Sequence, residues 1–239
     1  MQANEPLQIR TLRAFTALHQ LRPDWGGALI LSLGLNPQGA ALALAANIAG
    51  AVCLSLEEDS ATAHAALRTG ACDFVVNTLD EALRAIKNEV RRHLPISVGL
   101  QGSRAAILAE ILERGLAPQL LANCTALPDV ATQSTLQQQG TILLDLHPGA
   151  VHGTDTVSAD QLVQTLLTQQ NWQLTLFPQP SSAALRSFDA TALGLLPANT
   201  LRTQWLHGAA KILPRESPPQ RALWGTAEET AQLQQSAQA

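Results

Sequence analysis

The chain has 239 residues, of which 46% are hydrophobic and only 14% charged, with a net charge of -4. Disorder over most of the chain is excluded, because that state needs low hydrophobicity and high charge. A nucleic-acid-binding stripe is excluded as well, because neutralising phosphates needs clustered Lys and Arg.

In chain order, residues 28–33 (Ala-Leu-Ile-Leu-Ser-Leu) form a short apolar run that ends at Gly34 and reads as a buried strand. An Ala-rich helix follows over 39–50, closed by Gly50, and then a second buried strand over 52–57 that ends on Glu57, Glu58 and Asp59. Ser60 is placed to cap a helix reaching Thr69, with Gly70 as its stop. Asp73 to Val76 is a third strand, and Thr78 caps a helix from Leu79 to about His93. Ile96 to Leu100 is a strand leading through Gly102 and Ser103 into a helix that ends at Arg114 and Gly115. Gln119 to Ala122 and Thr141 to Asp145 supply further strands.

Continuous apolar strands alternating with helices predict an α/β fold, a doubly wound parallel sheet covered on both faces over residues 25–146. The strands at 28–33, 52–57 and 96–100 are expected to be neighbours in it, since none alternates polar with apolar. Beyond His147 the texture changes. Ser158 to Gln170 reads as a helix, Trp172 to Phe177 as a strand, and Pro178 to Ser182 as a connection. Leu201 to Leu213 puts Leu201, Trp205, Ala209 and Ile212 on one helical face, and the Gln- and Ala-rich end from Gln232 is expected to fray. The expected division is a first domain over 1–150 and an appended C-terminal helical or mixed region over 151–239.

No membrane span is expected: the longest apolar stretch, 40–56, is interrupted by Asn47 and splits into helix and strand. Glu5, Arg10 and Arg13 precede any apolar run, unlike a secretory signal. Cys53, Cys72 and Cys124 are widely spaced without a CxxC pair, which disfavours a disulfide framework and a structural zinc site. These features together point to the cytoplasm.

Ligands of such sheets bind beyond the carboxyl ends of the strands, where helix N-termini offer free N–H groups to phosphates. The loop from Gly34 to Ala41 is a weak glycine fingerprint, because Pro37 removes one donor. Glu57 closes the second strand about twenty residues on, where a dinucleotide fold places its ribose contact. Carboxylates at strand ends are also ordinary solvated positions.

The run Ala45-Ala46-Asn47-Ile48-Ala49-Gly50-Ala51-Val52-Cys53-Leu54, with Leu56-Glu57-Glu58-Asp59, resembles the central NAD-binding domain of urocanase (urocanate hydratase). The resemblance continues through Leu79 to Leu83, Ser97 to Gly102 and Ile111 to Pro118 as far as Asp129, covering about residues 10–130. It implies a Rossmann-like fold with tightly bound NAD, which in urocanases adds as an electrophile to the imidazole of urocanate before water is added. Carried over, it implies cofactor contacts from Gly34, Gln38, Gly39, Ala41, Glu57, Ser103, Arg104, Thr125 and Asp129. Departures are visible. Asn36, Pro37, Gln38, Ala40 and Leu42 stand at the variable points of the family's glycine loop. Thr62 stands where an arginine is expected, Ser103 and Arg104 replace an Asn-Ala pair, and only Thr125 and Asp129 survive of the segment after Asn123. None of the three cysteines matches the family's reactive one, the substrate-building flanks find no counterpart in 131–239, and no catalytic residue carries over.

The resemblance supports three readings. The first is a stand-alone domain that binds a dinucleotide but does not hydrate urocanate. The second is a non-catalytic paralogue that has lost the cofactor and acts through protein contacts, as a homodimer or with another subunit. The third is a urocanate hydratase subunit, a lyase, completed by a partner chain. Cys124, at a strand end, is the one thiol expected to be exposed. His147 and His152 with Asp145 and Asp155 could ligate a metal, although Pro148 and Gly149 prevent a helix that would align the rings, so ordinary loop histidines are expected. The stretch from Lys211 to Glu216 with Arg221 and Trp224 is either a partner surface or a helix end with Arg215 and Glu216 paired.

Overall fold

The computed structural model describes residues 5–125, 130–146, 156–212 and 217–236. Helix α1 (Leu7–Leu21) leads into an alternation of strands and helices: β1 (Leu29–Leu33), α2 (Pro37–Ala49), β2 (Val52–Glu57), α3 (Ser60–Thr69), β3 (Phe74–Val76), α4 (Leu79–Arg92), β4 (Ile96–Gln101), α5 (Arg104–Glu113), β5 (Leu120–Asn123), α6 (Val130–Gln138) and β6 (Ile142–Asp145). A two-residue strand β7 (Val157–Ser158), α7 (Ala159–Gln170), β8 (Gln173–Pro178), α8 (Ser182–Leu195), α9 (Thr200–Gly208), a 3-10 turn (Ala209–Lys211), β9 (Gln220–Gly225) and α10 (Ala227–Ser236) complete it.

The first seven strands form one parallel sheet in the order β3-β4-β2-β1-β5-β6-β7. The expected neighbours β1, β2 and β4 are adjacent, so the α/β doubly wound expectation holds. The reason is burial on both faces: side chains alternate across a strand. Ile30, Cys53, Leu120 and Leu144 point into a core with α1, α2 and α7, while Leu31, Leu54, Val98 and Leu121 point into a second core with α4, α5 and α6.

Local signals explain the helices. Helix α2 is buried from Gln38 to Asn47, which its run of Ala and Leu permits on all sides. Helix α4 starts on a capping box between Thr78 and Glu81 and keeps Arg91 and Arg92 in its last turn, complementing its dipole. The cap of α3 is Asp59 rather than Ser60, because the carboxylate reaches the N–H groups of Ala61 and Thr62 at 3.2 and 2.9 Å.

The C-terminal region differs more from the expectations. Helix α8 starts on a Ser181 cap within the expected connection, Arg221 and Trp224 lie in strand β9, and the long helix from Leu201 breaks into α9 and the 3-10 turn. Arg221 and Trp224 are 0% and 1% exposed, which overturns their reading as a partner surface. Their polar atoms are satisfied inside: Trp224 donates to Thr16 Oγ1 at 2.8 Å, and Arg221 grips Asp189 through two bonds of 2.7 and 2.9 Å. Of the end from Gln232, residues 232–236 belong to α10, anchored by buried Leu233, and the rest lies outside the described residues. Strands β8 and β9 make a separate two-stranded antiparallel sheet packed beside α1. Among the described residues, no helix is long and apolar enough to cross a membrane.

Candidate functional site

The sheet order reverses at β1, with β2 on one side and β5 on the other, so the crevice beyond their carboxyl ends is the topological switch point. Four loops converge there: Gly34–Asn36, Glu57–Asp59, Gly102–Ser103 and Cys124–Thr125.

Gly34 has φ +110°, and its N–H donates to Leu56 O at 2.9 Å. Gly39 packs the first turn of α2 onto this turn so tightly that a Cβ would lie 2.0 Å from Gly34 O. These two glycines bring α2 to the strand end, as the fingerprint implied. Ala41 is fully buried in the same helix.

The start of α2 nevertheless differs from a phosphate cradle. Asn36 caps the helix, its Oδ1 accepting from the N–H groups of Gln38 and Gly39, both at 3.0 Å. Its main-chain carbonyl takes the N–H of Ala40 at 2.9 Å, and Pro37 has none to give. Every N–H of that first turn is thereby either absent or already donated. The Asn36 side chain also donates through Nδ2 to Cys124 O, bridging the crevice between β1 and β5.

Glu57 stands at the end of β2 and is 9% exposed. Its two oxygens accept the N–H of Leu35 at 2.8 Å and of Asp59 at 3.0 Å, so it ties the first two loops together. Glu58 accepts the Arg104 N–H at 2.8 Å, and Arg104 Nη1 donates to Thr125 Oγ1 at 3.3 Å. Thr125 in turn bonds Asn123 Oδ1 through its N–H at 3.2 Å. Ser103 sits at the N-terminus of α5 without capping it. Thr62, where an arginine was expected, donates to Asp59 at 2.6 Å and holds that carboxyl below its usual range.

Gln38 is buried, with its Oε1 unpartnered. The structure therefore brings Gly34, Gln38, Gly39, Glu57, Ser103, Arg104 and Thr125 to one edge, whereas Asp129 lies outside the described residues. His147, His152 and Asp155 also lie outside them. Among the described residues no group of three His, Cys, Asp or Glu side chains is placed to hold a metal. In this arrangement Asn36 occupies the N–H groups of Gln38 and Gly39, whereas each Glu57 oxygen accepts one N–H and keeps a second acceptor site.

Asn36 carries this result, although in the sequence it stands only as a variable loop position. Its signal was there: Asn followed by Pro is a helix cap followed by a favoured first residue. A cavity of about 370 Å³ lies beside this turn, lined by Leu7, Arg10, Leu35, Pro37, Thr62 and Ala66.

Cys124 is fully buried, which corrects its reading as the exposed thiol. It follows a strand, but it lies under the Asn36 bridge with its sulfur 3.4 Å from Ser32 Oγ. Burial pushes all three thiols up to about 12. The native protein should therefore not react with a thiol-specific disulfide reagent at pH 8, and guanidinium should release all three thiols. A fast-reacting thiol in the native state would mean that the crevice opens.

The model of the family described as Urocanase Rossmann-like domain matches residues 9–143. Among solved structures, the chain is similar to a short chain alcohol dehydrogenase from E. coli CFT073 complexed with NADH, at 12% identity and TM-score 0.39 over 66% of this chain and 39% of that one. It is also similar to the O-methyltransferase TomG from Streptomyces achromogenes in complex with SAM, at 16% identity and TM-score 0.33 over 70% of this chain and 72% of that one. An O-methyltransferase from Bacillus cereus in complex with SAH aligns at 13% identity and TM-score 0.31 over 70% and 73%. The family match covers more than half of the chain and runs from α1 through the parallel sheet into β6, and so the chain belongs to the urocanase Rossmann-like domain family.

Proposed function

We propose that this chain is a non-catalytic member of its family that has given up the dinucleotide and acts through protein contacts. The supporting observation is Asn36, which takes the N–H groups of Gln38 and Gly39 that a pyrophosphate would need. A ribose would have to share Glu57 with the N–H groups of Leu35 and Asp59, which already take one acceptor site on each oxygen. Each exchange at Asn36 trades one satisfied hydrogen bond for another, and the net worth of such a bond is only about 1 kcal/mol. The driving force for binding is correspondingly reduced. Without NAD held in place, the addition chemistry of urocanases has no electrophile.

The test is to denature the purified protein and search the supernatant for a nucleotide by mass spectrometry, then titrate NAD by calorimetry. The expected result is no nucleotide, no heat of binding, and no loss of urocanate absorbance with NAD added. The alternative reading, dinucleotide binding, is favoured by the close approach of Gly39 to Gly34 and by the position of Glu57 at the end of β2. It would be restored by an NAD signal that Glu57→Ala weakens by about 1.5–3 kcal/mol, the scale of hydrogen bonds to a charged group.

A further inference from the structure

The small sheet treats its two edges differently. On the outer edge of β9, Gln8 is fully buried and acts as a substitute strand: Nε2 donates to Gln220 O at 2.9 Å, and Oε1 accepts the Ala222 N–H. Trp205 Nε1 closes the next position by donating to Ala222 O at 2.8 Å. Because Ala222 points both its N–H and its C=O away from β8, its partner Leu176 belongs to a non-hydrogen-bonded pair. The bond from Gln179 N–H to Pro219 O at 2.8 Å has the parity this requires. By the same alternation, Leu174 and Leu176 direct their main-chain N–H and C=O groups outward from β8.

Among the described residues no strand receives those four groups, since β8 has β9 as its one neighbour. Of the usual defences the edge has only its shortness and Pro178 at its end. It has no charged residue over Gln173–Pro178, and it presents Leu176 at 37% exposure.

We propose that the open edge of β8 pairs antiparallel with β8 of a second copy, about a two-fold axis at Thr175, joining two small sheets into one of four strands. In that register each Leu174 lies opposite the other copy's Leu176, so all four outward groups are bonded at once. The same register stacks two leucine pairs across the junction on one face, with Cβ atoms about 5 Å apart. A second copy is favoured over an unrelated peptide because the edge is complementary to itself. It is short, uncharged, and carries its two outward residues symmetrically about Thr175. The inference deepens the contact-based reading above by naming the partner, and sedimentation without nucleotide tests it separately from NAD calorimetry.

Analytical ultracentrifugation of the wild-type chain over roughly 1–300 μM should show a monomer–dimer equilibrium, an affinity range expected of a small interface. Leu176→Lys places two like charges in the junction and should raise the dissociation constant at least about tenfold. Circular dichroism, and the urea midpoint measured well below the dissociation constant where the chain is monomeric, should stay unchanged, because this side chain is partly exposed. In parallel, Thr175→Cys should oxidise to a disulfide-linked dimer that a reductant reverses, since residues facing each other in a non-hydrogen-bonded pair have Cα atoms about 4.5 Å apart. The three native thiols are buried and do not compete. A chain that stays monomeric throughout, a dimer that Leu176→Lys leaves intact, or failure of the Thr175→Cys link would each overturn the proposal.

Discussion

Alanine in place of Gly39 should destabilise the fold by about 3 kcal/mol or more, at or above the top of the usual range for overpacking. The added Cβ would meet Gly34 O at 2.0 Å and Gly34 C at 2.7 Å, and both are backbone atoms. They cannot rotate away as a side chain would. Gly34 is itself held by its bond to Leu56 O at 2.9 Å, and its carbonyl accepts from Ser32 Oγ at 3.0 Å. Relief therefore means moving α2 off the sheet or breaking those bonds. The urea midpoint of Gly39→Ala measures the effect. Gly194→Ala is the control, because that helical glycine has nothing within 4 Å of the added carbon. It should be neutral or gain up to about 1 kcal/mol. A Gly39→Ala protein as stable as wild type would show that α2 does not sit against Gly34.

Removal of the Asp189 carboxylate by Asp189→Ala should have an effect of similar size, about 3–5 kcal/mol, the usual result of leaving one buried charge without its partner. Arg221 is 0% exposed and is bonded to Asp189 through two nitrogens and to Gln8 Oε1 at 3.3 Å. The network joins α8, β9 and α1, so its loss loosens the C-terminal elements from the helix that backs α2. The double variant Asp189→Leu with Arg221→Met removes both charges and should recover much of the loss, because a buried pair is often replaceable by apolar residues of similar size. Thermal unfolding of the wild type, the single variant and the double variant separates the outcomes. A single variant within about 1 kcal/mol of wild type would place this pair in water instead of the core.

The parallel sheet was legible because its strands are apolar without alternation and its helices carry their own start and stop signals. Thr78 with Glu81, Gly50 and Gly70 act within a turn of themselves, so tertiary context has little to override. Strand β9 was not legible. Arg221 reads as a surface residue until Asp189 and Gln8, 32 and 213 positions away, are seen to satisfy it. Helix α8 was hidden for a related reason. It follows Pro178 and Pro180, and its one buried acid, Asp189, makes sense only beside Arg221.

At the candidate site the division falls between residue type and residue use. Sequence alone determined that Gly34 turns the chain and Gly39 permits a close approach, that an acid ends β2, and that the fold belongs with the urocanase Rossmann domains. These properties rest on local conformational freedom and on patterns a few residues long. Only the tertiary structure decided what those groups are bonded to. Asn36 reaches Cys124 across 88 positions, Glu57 reaches Leu35 across 22, and Arg104 reaches Glu58 across 46. A hydrogen bond needs its partner at about 3 Å in the right direction, and no spacing along the chain encodes that meeting. The Gly34–Ala41 loop therefore reads in the sequence only as a weak fingerprint, and it is the fold that bonds Asn36 to Gln38, Gly39 and Cys124.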